Sequence, residues 1–302
     1  MSKVNSIINC FFIFSLVLSV NEVSAQIAKQ QKVFASIHST DKNETEYITI
    51  PANINYPSIL QGNESQSLDY IEKFAKSRAA YITKIFVKSK KYFPRVTKIL
   101  SKYGLSKEYQ VLLPLESGFN GNAISSAGAV GFWQIMDEVA KEYGLQYIPQ
   151  LTDVEKIKLA AEAKQNLNIK AITLNKELKK IAPKDDRKNF IKSTLAAAKY
   201  LKDRTRNLNN NTLLIVASYN CGVGNVWEAK RKTGLLNPTF WDIKKYLPAE
   251  TQAYVMNFIT LNVLFHNYQK FANGSLTFKP RYEKVLLDAT TLQNEAAFKI
   301  TD

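Results

Sequence analysis

Two cysteines and two histidines are all that the 302 residues contain. His38 and His266 each stand far from any other plausible ligand, and no Cys pair or paired-His zinc spacing occurs, so the sequence offers no support for a metal centre. A GxSxG elbow is also absent, which removes the usual form of serine-hydrolase chemistry. Strand-like alternation is scarce and confined to residues 47–50 and 284–287. Acidic residues are few beside basic ones, 26 against 41, for a net charge of +15. Residues 155–206 alone hold 15 Lys and Arg against 6 Asp and Glu. Such a chain favours an anionic partner: nucleic acid, acidic lipid or an anionic cell-wall polymer. Charge alone does not choose among them.

The N-terminus narrows the choice. Lys3 precedes an apolar run over residues 7–20, and Val23-Ser24-Ala25 follows with the small-x-small pattern that a signal peptidase reads. The run is short for a membrane span. Residues 1–25 are therefore expected to be a signal peptide cleaved after Ala25, with an uncleaved anchor as the alternative. Cys10 follows Asn9 rather than a small residue, so lipidation is not expected. Cleavage would remove Cys10 and leave Cys221 alone, without an internal disulfide, so stability has to come from packing. Export also argues against nucleic acid as the partner of the basic charge.

Residues 26–66 are polar and mixed, with Pro51 and Pro57, and read as an irregular arm. From Leu68 the apolar positions Ile71, Ala75, Ile82, Ile85 and Phe86 recur near a 3.6 period, which predicts a helix. A second helix is predicted between Pro94 and Gly104, and a third from about 107 into Glu116, stopping at Ser117-Gly118. A short helix is expected over 132–143, and a long amphipathic helix or helical hairpin over 154–181. Further helices are expected at about 189–206, 212–219, 225–233 and 249–271. The fold class is mainly α.

Glu116 stands out on physical grounds. It lies in Val-Leu-Leu-Pro-Leu-Glu-Ser-Gly-Phe, among apolar neighbours and at a helix C-terminus. Desolvation and the helix dipole both disfavour the carboxylate there and raise its pKa, the direction a general acid needs near neutral pH. The plain alternative is an exposed residue at a helix end. Two further stretches combine small residues with groups that sugars use for stacking and hydrogen bonding. One is 125–134, with Gly131, Trp133 and Gln134; the other is 217–224, with Tyr219 and Asn220. For Trp133 core packing is the better expectation.

Taken in order, Glu-Ser-x-Phe-Asn at 116, Ser-x-x-Gly-Ala-x-Gly-Phe-Trp-Gln at 125, Ser-Thr through Tyr-Leu at 193–201, Tyr-Asn-x-Gly at 219 and Glu-Thr-x-x-Tyr-Val at 250 resemble the lytic transglycosylases of lysozyme-like fold, particularly their membrane-bound type D branch. The likeness covers roughly residues 90–265. It implies a lysozyme-like helical domain over 67–275, preceded by the arm at 26–66 and followed by a tail at 276–302. Residues 146–184 would form a helical insertion, longer than the link usual in that branch. Carried over by position, the resemblance implies Glu116 as the sole catalytic acid/base and Ser125 as a hydrogen-bond partner of that glutamate. Gly131, Gln134, Tyr219 and Asn220 would bind substrate in the groove, and Tyr254 would sit over the reaction centre. Cys221 stands where the family usually has Ala.

The implied substrate is the glycan strand of peptidoglycan, cut between N-acetylmuramic acid and N-acetylglucosamine with closure of a 1,6-anhydro ring. No metal or organic cofactor is implied. The setting would be the periplasm or cell envelope of a bacterium, with possible peripheral association with the envelope; nothing in the sequence speaks to oligomeric state. A goose-type lysozyme, a non-catalytic wall-binding protein and a basic nucleic-acid binder are the rival readings, the last disfavoured by export and by the absence of reader motifs.

Overall fold

The computed structural model describes residues 45–149, 157 and 185–286. The expected signal peptide at 1–25 and the expected amphipathic helix at 154–181 lie outside the described residues, apart from Ile157. Two compact units are present, one of residues 55–275 and the other of the segments 1–54 and 276–302. In the smaller unit, β1 (Thr45–Ile50) pairs antiparallel with β2 (Arg281–Leu286), Thr45 facing Leu286 and Ile50 facing Arg281. The stretch read as an irregular arm thus contains a strand, at the place where alternation was visible. Asn53 and Thr277 continue the pairing: the Asn53 N–H donates to the Thr277 hydroxyl at 2.9 Å, and the Thr277 N–H to the Asn53 side-chain oxygen at 2.9 Å.

The larger unit begins at Asn55, ahead of the boundary expected at 67. The reason is Asn267, whose buried amide donates to the Asn55 carbonyl at 2.6 Å and accepts from the Asn55 N–H at 3.0 Å. Two helices follow, α1 (Glu64–Ser77) and α2 (Ala79–Lys102). The break falls at Arg78 (φ −128°, ψ 26°) and not at Pro94, which sits inside α2. An interior proline costs about 3 kcal/mol by removing a donor and crowding the preceding turn. Here the buried face of α2, with Ile82, Ile85, Val96, Ile99 and Leu100, offsets that cost.

After a 3-10 turn at Lys107–Val111 comes α3 (Leu112–Ser117), ended by Gly118 at φ 57°. Phe119 is also left-handed, at φ 66°, so the chain reverses sharply just after Glu116. The next helix, α4 (Asp137–Glu142), is shorter than expected. Residues 130–135 form a tight hairpin instead, with the Val130 and Ile135 N–H groups each donating to the other's carbonyl, at 3.1 and 3.0 Å. Gln134 takes φ 47° at its tip.

Residues 190–272 are mainly helical: α5 (Phe190–Asn207), α6 (Thr212–Cys221), α7 (Val223–Thr233), α8 (Phe240–Ile243), α9 (Ala249–His266) and α10 (Tyr268–Ala272). Side-chain caps start several of them. Asn189 accepts from the Ile191 and Lys192 N–H groups at 3.0 Å, and Asn211 from the Leu214 N–H at 3.2 Å. The helix expected over 249–271 is interrupted at Asn267, because the side chain that holds Asn55 also bonds the Val263 carbonyl at 2.8 Å. Helices α6 and α9 are apolar on nearly every side. They form the centre of the core, with Leu213 to Ser218 and Val255 to Leu264 almost entirely buried. Helix α9 packs against both α6 and α1, and it also touches α3, which carries Glu116.

Candidate active site

Glu116 is half-buried at the last turn of α3. Burial pushes its carboxyl up from 4.5 to about 8; the hydrogen bond from Tyr254 opposes this and the charge of Glu250 adds to it. At neutral pH the group therefore holds its proton. The Tyr254 hydroxyl donates to Glu116 Oε1, joining α9 to α3. Burial and the nearby carboxyl in turn push the Tyr254 phenol well above 10.

The neighbouring side chain, Ser117, fastens the helix end to the hairpin by donating to the Phe132 carbonyl at 2.7 Å. On the hairpin itself, Gln134 Nε2 donates to the Gly131 carbonyl at 2.9 Å and the Ala123 carbonyl at 3.2 Å, which braces the loop. Gly131 (φ 83°) has no room for a side chain: a Cβ there would stand 2.0 Å from the Arg187 carbonyl oxygen. Phe132 lies against Gly121, where a Cβ would come within 2.5 Å of the ring, and meets Phe190 edge-on at 5.3 Å. Trp133 is fully buried and donates to the Thr194 hydroxyl at 2.9 Å, as expected of a core residue.

The Tyr219 hydroxyl on α6 donates to the Trp133 carbonyl at 2.9 Å, and its phenol is pushed well above 10 by burial and by the Glu116 charge. A small cavity of about 60 Å³ opens beside it, with Gln134, Met136 and Tyr200 among its walls. Asn220 accepts from the Thr251 hydroxyl at 2.7 Å, linking α6 to the first turn of α9. Ser125 departs from expectation. Its hydroxyl accepts from the Ala129 N–H at 3.0 Å within its own loop, and no hydrogen bond joins it to Glu116. The glutamate's side-chain partner is Tyr254. Among the described residues no three His, Cys, Asp or Glu lie close enough together to hold a metal ion.

Residues 96–183 and 165–239 match the family model of the transglycosylase SLT domain, in two overlapping stretches. Over these residues the chain is similar to a transglycosylase SLT domain. Glu116, Ser125, Gly131, Gln134, Tyr219 and Asn220 fall inside the matched stretches of the SLT domain, and Tyr254 lies beyond them. The chain is 25% identical over 202 residues to the membrane-bound lytic murein transglycosylase D of Escherichia coli K12, and equally to that of strain O6:H1. The match covers 66% of this chain and spans 37% of the length of those curated relatives. Among solved structures, an inactive mutant of the lytic transglycosylase Slt of Pseudomonas aeruginosa aligns at 21% identity with a TM-score of 0.37. It covers 64% of this chain and 26% of that one. The 70 kDa soluble lytic transglycosylase of E. coli aligns at 16% identity and a TM-score of 0.38, covering 76% and 39%.

Sequence reasoning missed a clasp between residues 146–148 and 185–187. Arg187 is 0% exposed. Its guanidinium ion-pairs with Asp137, donates to Asp185 at 2.7 and 2.9 Å, and reaches the Ile148 carbonyl at 2.7 Å. Beside it, Asp186 donates its N–H to the Gln146 carbonyl at 2.7 Å and accepts from the Gln146 N–H at 3.1 Å. Residues 146–148 and 185–187 are thus held together at one point, next to the hairpin of Gly131. Asp137, in the first turn of α4, is half-buried and pairs with this arginine. Only the two acidic residues just before Arg187, Asp185 and Asp186, hinted at the clasp.

Proposed function

We propose that the chain is a peptidoglycan lytic transglycosylase in which Glu116 alone supplies the acid and then the base. The supporting observation is a carboxyl raised to about 8 in a half-buried position, with the Tyr254 hydroxyl on its Oε1. Glycoside cleavage ordinarily draws on two carboxylates. Glu250 is the other acid whose charge reaches Glu116, and it is exposed at the start of α9. In a one-acid scheme, Glu116 protonates the oxygen between N-acetylmuramic acid and N-acetylglucosamine, and the C1–O bond breaks. The substrate's own N-acetyl oxygen stabilises the developing cation at C1. Ionised Glu116 then takes the proton of the muramic 6-hydroxyl, whose oxygen attacks C1 and closes the 1,6-anhydro ring. No water is consumed. Gly131 lets the hairpin sit close to Arg187, Gln134 and Tyr219 hold that hairpin, and Ser117 ties the end of α3, with Glu116, to it. The 25% identity also favours the membrane-bound type D branch. We place the chain in the bacterial envelope, exported by residues 1–25. No helix among the described residues is long and apolar enough to cross a membrane.

Mass spectrometry of fragments released from purified sacculi tests the reaction. Anhydromuramic ends are expected; reducing ends would mean hydrolysis by a lysozyme, and no release would overturn the enzyme reading. The pH dependence should follow Glu116. Because the acid form is required, kcat/KM should hold up to about pH 8 and then fall about tenfold per pH unit. Tyr254→Phe removes the hydrogen bond that favours the ionised form, so the alkaline limb should move to higher pH. A limb that stays in place would mean that another group sets it.

A further inference from the structure

A cavity of about 630 Å³ lies among α1, the start of α2 and α9, with Leu115, the residue before Glu116, in its wall. Glu250, Tyr254, Asn257 and Leu261 follow one another at spacings of four, three and four along α9, and so share one face of that helix. Tyr254 bonds Glu116, while Asn257, one turn on, accepts from the Tyr70 hydroxyl at 2.9 Å at the cavity wall. The cavity therefore continues the line of the reaction centre. At 1.5 Å per residue, Tyr254 to Leu261 is a run of roughly 10 Å.

The lining has two characters. Tyr70 and Phe74 stack at 6.3 Å, and Phe74 meets Tyr81 edge-on at 6.4 Å, giving a wall of flat apolar surface. Among the described residues, Lys73 and Arg78 supply the only charges in the lining, and both are exposed. The Arg78 guanidinium stands 5.9 Å from the Phe74 ring centre. No ion pair among the described residues neutralises either cation; Glu72, on the same helix, pairs with Lys76. Two exposed cations beside aromatic walls, Arg78 over the Phe74 ring, suit a ligand that carries carboxylates on a partly aliphatic frame. In a strand with its branches attached the lactyl carboxyls are tied up as amides and the glycan is uncharged, whereas the peptide branch on muramic acid brings both features.

We propose that this cavity receives the acidic peptide branch of the strand being cut, with Lys73 and Arg78 on its carboxylates and Tyr70, Phe74 and Tyr81 against its aliphatic part. The inference rests on the transglycosylase reading above. It is tested with glycan strands of equal length, either bearing peptide branches or stripped of them by an amidase. The intact chain should cleave the branched strands with a kcat/KM about tenfold higher, the difference lying in KM. Lys73→Glu combined with Arg78→Glu should abolish that preference and leave the rate on stripped strands unchanged, while Arg78→Lys should keep most of it. An unchanged preference in the charge-reversed protein would overturn the proposal. So would an equal loss on both substrates, which would mark a sugar subsite or a damaged fold. Cleavage of stripped strands by the unaltered chain reports separately on the transglycosylase reading. Titration of a free acidic tripeptide branch reads the cavity without turnover: binding lost on charge reversal supports the proposal, and no binding to the unaltered chain overturns it.

Discussion

Glu116→Gln should lower turnover by about three orders of magnitude or more and at the same time make the protein more stable at neutral and alkaline pH. The first effect follows from the role: an amide can neither give nor take the proton, and general acid–base groups contribute about 10²–10⁴-fold each. The second follows from the pKa. In the unfolded chain the carboxyl ionises near 4.5, and in the fold near 8. Between those values the folded state keeps a proton that the unfolded state has released, so stability declines as pH rises through that window. Glutamine accepts the same Tyr254 hydrogen bond without ionising. The stability advantage of the variant should therefore be small at pH 5 and grow toward pH 8 by an amount on the order of 3 kcal/mol. Denaturant unfolding at the two pH values measures it, alongside fragment release from sacculi. Residual turnover within tenfold of the unaltered chain would remove Glu116 from the reaction. A stability difference flat with pH would mean that the carboxyl is not desolvated.

The largest purely structural effect is expected at Arg187. Arg187→Leu leaves Asp185, whose side chain is 4% exposed, and the Ile148 carbonyl without their donor, and takes away the partner of Asp137. Breaking a buried pair by removing one member costs about 3–5 kcal/mol, because the other charge stays buried. For a unit of this size that corresponds to a fall in Tm of roughly 10 °C. The deficit should shrink in acid. Burial alone would push the Asp185 carboxyl up, yet the donors of Arg187 hold it below its ordinary value. The stabilisation is thus present above the unfolded pKa and lost as pH falls through the lower folded one. Turnover should fall too, since Gly131 packs on the Arg187 carbonyl and Ser117 ties α3 to the same hairpin. Thermal melts at pH 7 and pH 3 would show both trends; an unchanged Tm at pH 7 would mean that the clasp contributes nothing.

Much of this fold was legible in the chain. The helices expected at 189–206 and 212–219 rest on local spacing, and α5 and α6 formed within a residue or two of those bounds. The strand at β1 was also legible from its alternation, although its partner lay more than 200 residues away. Where local reading failed, a distant contact had won. Pro94 looked like a helix start, but the buried faces on either side of it hold α2 continuous. The stretch from Phe132 looked helical, but the fit of Gly131 against Arg187 and the bond from Ser117 hold it as a hairpin. Asn267 looked like one more residue of a long helix until its amide turned to Asn55.

Sequence by itself determined the helical class, the choice of Glu116 as the chemically unusual carboxyl, and the small and aromatic residues that surround it in five ordered motifs. These depend on residue type and short spacing, which a chain carries before it folds. Tertiary structure decided which group hydrogen-bonds Glu116, Tyr254 from 138 residues away rather than Ser125 from nine. It also decided that Arg187 would be buried and that Arg78 would stand over the Phe74 ring beside α9. The physical reason is desolvation. A carboxyl, a guanidinium or an amide acquires its shifted pKa, its obligatory partners and its cost from the low-dielectric surroundings that only packed helices provide.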